Sequence, residues 1–124
     1  MVNMGDAGAR DVEVEIDVDR LVAHACRLVR DDPLLLHRFE PRRPDALAAE
    51  LGRFVSETLA RHGVRAAARF AGYVRRCRLS PEDYDRFGHY LLTAALVCRV
   101  GPERLVLIGA ALTTLRLVAV DGAR

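Results

Sequence analysis

Apolar residues recur at helical spacing along most of this chain, and between the stretches fall residues that start and stop helices. The sharpest start is Ser80-Pro81-Glu82-Asp83. It offers a capping side chain, a proline in the first turn, and two acids at the positive end of the helix dipole. Gly101-Pro102-Glu103 repeats the signal. Behind these starts run Tyr84, Phe87, Leu91, Ala95 and Cys98, then Leu105, Ile108, Leu112, Leu115 and Val118.

Upstream, Asp19 is expected to cap a helix reaching Arg30, with Leu21, Val22, Ala25, Cys26, Leu28 and Val29 on its inner face. Asp31-Asp32-Pro33 stops it, and Leu34, Leu35, Leu36 and Phe39 read as a tight apolar corner. After the loop Pro41-Arg42-Arg43-Pro44, Asp45 is expected to cap a helix carrying Leu47, Leu51, Phe54, Val55 and Leu59. His62-Gly63 breaks that helix. The next one turns Ala67, Phe70, Ala71, Val74 and Cys77 inward and its arginines outward. The pattern predicts an all-α single domain of about five helices over residues 19–124.

Residues 1–18 read as an N-terminal arm, mobile over its first eleven positions. Val12, Val14, Ile16 and Val18 alternate with Glu13, Glu15 and Asp17, a period of two that suggests extended backbone or else the first turn of a helix. Charge is split along the chain. Asp6, Asp11, Glu13, Glu15, Asp17 and Asp19 stand against Arg10 alone, whereas Arg61, Arg65, Arg69, Arg75, Arg76 and Arg78 form a run without an acid. Two solvated surfaces explain this most simply. The sharper reading is an acidic arm docked on a basic helix, within one chain or across a homodimer.

Composition narrows the function classes. All 19 basic residues are arginine, so Schiff-base lysine chemistry is excluded, and a net charge of +2 gives no argument for a nucleic-acid partner. No apolar run has the length of a membrane span, no charged-then-apolar leader is visible, and a cytoplasmic location is the expectation. Cys26, Cys77 and Cys98 lack zinc spacing and read as reduced, buried thiols.

Particular residues in order carry a resemblance. Asp32-Pro33 followed by Leu35 and Phe39, then Leu47, Leu51, Phe54, Val55 and Leu59, then Leu79-Ser80 with Tyr84-Asp85, and finally Val100 to Glu103, make residues 19–120 resemble the truncated haemoglobin family. The resemblance implies a shortened globin-like fold around a haem pocket. It also places the pocket's working positions. The iron-binding histidine falls on Val74, the oxygen-binding tyrosine on Cys26, and the polar distal residue on Leu51. Valine offers iron no lone pair. The resemblance therefore implies a pocket that has lost its oxygen chemistry, with neither haem nor metal bound.

A pocket of ~300 Å³ left dry would cost ~7 kcal/mol at about 24 cal/mol per Å³, comparable to the stability of a domain. Phe87, with Phe70, Tyr73 and Leu51, is expected to fill most of it and leave a small apolar cavity lined also by Cys26, Phe39, Leu47, Val55 and Val74. The reading that follows is a haem-free, non-enzymatic module. It binds a small apolar ligand in that cavity, or a partner through the basic face of Arg65, Arg69, Arg75, Arg76 and Arg78. Two rivals stand beside it. One is a haem held by Tyr73 or Cys77 and carrying O2 or NO. The other is an enzyme acting on a small metabolite in the reshaped pocket, for which Cys26, Tyr73 and Glu50 are the acid–base candidates.

Overall fold

The computed structural model describes residues 16–39 and 44–122. They form six α-helices, α1 (Val18–Arg30), α2 (Pro33–Phe39), α3 (Pro44–Leu59), α4 (Gly63–Cys77), α5 (Pro81–Val97) and α6 (Pro102–Arg116), closed by a π-helical turn at Leu117–Asp121. No strand occurs among the described residues, so the chain is all-α.

Several boundaries differ from the sequence reading. Asp17, not Asp19, caps α1, its Oδ1 accepting from the Arg20 N–H at 3.0 Å. Both aspartates have capping chemistry. Starting at Asp17 puts the Asp19 charge in the first turn, near the positive dipole end, and lets half-buried Ile16 and Val18 pack on the core. Val18, read as part of the arm, is thus helical; residues 1–15 of that arm lie outside the described residues. Helix α3 begins at Pro44, so Asp45 lies inside its first turn. The apolar corner is the helix α2, started by Pro33 and capped by Asp32, whose Oδ1 accepts from the Leu35 N–H at 3.2 Å. That makes six helices where five were expected. At the far end, α6 stops at Arg116, and the Gly122 N–H reaches back five residues to the Leu117 carbonyl at 2.8 Å.

Helix α1 packs on α3 and α5, while α4 packs on α3, α6 and the π turn. The three most buried rings, Phe54, Phe70 and Phe87, meet at the centre with Leu21, Leu51, Leu91, Ile108 and Leu115. Each such side chain contributes about 1.5–3 kcal/mol by leaving water. Two polar ties fix the outer helices. Asp32 Oδ2 accepts from Arg86 Nε at 2.9 Å and from the Tyr90 hydroxyl at 2.8 Å, binding the α1–α2 corner to α5. Asp83 serves both in the Ser80 capping box and as the acceptor of Arg38 Nε at 3.0 Å, which holds α2 to the start of α5. Deeper in, the Tyr84 hydroxyl donates to the Leu112 carbonyl at 2.6 Å and joins α5 to α6. Burial raises the Tyr84 pKa well above its ordinary value, which keeps this phenol a donor.

Candidate functional site

The positions that would line a haem pocket all lie in the core. Cys26, Phe39, Leu47, Leu51, Val55, Phe70, Tyr73, Val74 and Phe87 are each buried, and Val74 is 1% exposed. Their rings interlock. Tyr73 stacks on Phe70 with centroids 5.6 Å apart and on Phe39 at 6.2 Å. Phe70 stacks on Phe54 at 4.9 Å, and Phe87 sits tilted against Phe39 at 5.8 Å and Phe70 at 6.2 Å. Phe87 therefore stands among Phe70, Phe39 and Tyr84.

The acid–base candidates sit on three different helices. Cys26 is on α1, where burial raises its thiol pKa against a smaller opposing effect of Arg30, so the thiol stays protonated and poorly nucleophilic. Tyr73 belongs to the ring stack on α4. Glu50 is half-buried on α3 and borders a shallow groove with Arg53, Phe54, Glu57 and Arg69. All three cysteines are free, two buried and Cys98 partly so. Among the described residues no group of three His, Cys, Asp or Glu side chains could hold a metal ion.

The basic face of α4 divides by geometry. Arg69 Nη1 pairs with Glu57 Oε2 of α3 at 2.9 Å. Arg76 places its guanidinium over the Tyr73 ring, 6.0 Å from the centroid. Arg65 points to solvent near the start of the helix. Arg75 and Arg78 lie at the other end, on the rim of an open cleft of about 480 Å³.

The end of α4, the α4–α5 turn and the π turn build this cleft. Val74 and Leu79 provide apolar lining, Ser80 and Pro81 come from the start of α5, and Ala119 and Val120 close the far side. Ala119 and Val120 belong to the π turn. Arg75 Nη2 reaches across to the Val118 carbonyl at 3.4 Å. Arg78 terminates α4 in the left-handed region, φ 55° and ψ 49°, where glycine is usual. Among the described residues no acid lines the cleft, and neither arginine forms an ion pair.

Sequence reasoning named Val74, Arg75 and Arg78 but assigned them to separate features. The signal that joins them was the end of the final helix, where Val118 through Val120 read as more α-helix. The Asp32–Arg86–Tyr90 tie was also missed, although Arg86 and Tyr90 stand one turn apart on one face. No helix is long and apolar enough to cross a membrane among the described residues. Searches against family models, curated proteins and solved structures returned no match.

Proposed function

We propose that this chain is a haem-free, globin-like binding module, non-enzymatic, whose ligand enters the cleft at the basic end of α4 and not an interior pocket. The globin-like part rests on the resemblance of residues 19–120 to truncated haemoglobins. The observation that carries the rest is the position of Val74, which has its side chain in the core and also borders the cleft beneath Arg75 and Arg78. The apolar position and the basic helix end thus serve one opening.

The residues present do not fit a haem. Val74 has no donor atom, and in the same core the rings of Phe39, Phe70 and Tyr73 stack with Phe87 tilted against them. Tyr73 and Cys77 are each taken up in the buried face of α4, which supports packing over ligation. The cleft volume of about 480 Å³ lies within the ~300–1,000 Å³ range of small-molecule sites. A homodimer through the acidic arm is part of the same proposal, with the exposed arginines of α4, Arg65, Arg69, Arg75 and Arg76, as its docking face. The test of the module reading is a fragment screen followed by amide chemical shifts. Shifts concentrated at residues 74–80 and 118–120 support it, and a screen in which no compound moves those amides overturns it.

A further inference from the structure

We propose that the cleft selects a small amphipathic anion, a carboxylate on a short aliphatic chain, with Arg75 and Arg78 holding the head group. This inference rests on the reading of the cleft as a ligand site and adds the chemical class.

Two guanidiniums stand three residues apart on one rim, and guanidinium donors suit a carboxylate. Arg75 is exposed, and of its five donors one makes a long bond to the Val118 carbonyl of the π turn at 3.4 Å. Arg78 is exposed and borders the same cleft, at the end of α4. The start of α5 is not the anion holder, because Ser80 Oγ already accepts from the Asp83 N–H and Asp83 from the Ser80 N–H. Recognition of charge therefore falls to the two arginines. Leu79, Ala119 and Val120, each 5–8% exposed, supply the apolar lining that a tail would meet.

Two other openings among the described residues are less suited. A second one of about 450 Å³, between α5 and α6, has a single arginine, Arg116, already paired with Asp85 and Asp121 at 2.9 and 3.0 Å. The third, beside Thr58, measures about 180 Å³ and lies below the usual ligand range.

The test uses octanoate, octan-1-ol and acetate at pH 7 with amide chemical shifts of the full chain. Octanoate is expected to move residues 74–80 and 119–120 and to bind about tenfold or more tighter than octan-1-ol, the scale of a charge-assisted hydrogen bond. Acetate, with no tail, is expected to bind more weakly than octanoate. The double variant R75Q/R78Q, altered only at exposed positions, is expected to bind octanoate no better than octan-1-ol. Equal binding of octanoate and octan-1-ol to the unaltered protein overturns the anion class while leaving the cleft as a site. Undiminished octanoate binding by the double variant overturns the role of the arginines. Failure of octanoate to shift those amides overturns the ligand class, and the fragment screen then decides the cleft itself.

Discussion

Replacing Phe87 by alanine tests how completely the interior around it is filled. Phe87 is 1% exposed and touches the rings of Phe39, Phe70 and Tyr84. Losing its apolar surface costs about 2 kcal/mol. The vacated space, ~100 Å³ if nothing relaxes, adds about 2.4 kcal/mol at 24 cal/mol per Å³. The sum, about 4 kcal/mol, is a large share of the roughly 6–19 kcal/mol expected for 124 residues at 0.05–0.15 kcal/mol each. Urea unfolding followed by circular dichroism reads this as a midpoint lower by about 2 M for a slope near 2 kcal/mol/M. Benzene should then occupy the new apolar hole and raise the midpoint of the variant while leaving that of the parent unchanged. A loss below about 1.5 kcal/mol, with no benzene effect, would mean the rings around Phe87 collapse or were loosely packed, and the argument for a filled interior would fail.

Acid should weaken the fold through Asp32 and Asp83. The hydrogen bond from Tyr90 and then Arg86 lower the Asp32 pKa; at Asp83, burial opposes, but bonds from Ser80 and Arg38 prevail and lower it too. A carboxylate with a depressed folded pKa stabilises above its unfolded value of about 4 and loses that contribution as pH falls through the folded value. The gap in melting temperature between parent and Asp32→Asn should therefore be open at pH 7 and close below about pH 4. A gap that stays constant with pH contradicts the assignment. At the alkaline end, Tyr84 and Tyr90 both have raised pKa values, so their contribution holds below about pH 10 and fades as pH rises through the folded values. Arg61, Arg78 and Arg99 all carry positive φ, so at each position glycine should be more stable than alanine by about 0.5–1 kcal/mol in thermal unfolding. Equal stability of the two would show that these helix ends relax out of the left-handed region.

Helical spacing located most of the core, because burying one face of each helix demands it. Leu21, Leu51, Phe70, Leu91 and Ile108, each placed on an inner face, are all buried. Capping chemistry was less decisive, since Asp17 and Asp19 satisfy the same local rule and only the packing of Ile16 and Val18 separates them. The proline-led stretch 33–39 is too short for periodicity to reveal a helix. The cleft was least legible. It depends on one extra residue per turn after Arg116, and nothing local in Leu117–Asp121 distinguishes a π turn from continued α-helix. Long-range ties such as Asp32 to Tyr90 have no sequence signature at all, because the partners are 58 residues apart.

Haemin titration tests the central claim most directly. Val74 lacks a donor and the core rings of Phe39, Phe70, Tyr73 and Phe87 pack on one another, so protein made with added haem precursor should show no Soret band. Added haemin should neither bind one to one nor raise the unfolding midpoint. A stoichiometric Soret complex lost on substituting Tyr73 or Cys77 would contradict the account and return the interior to haem chemistry.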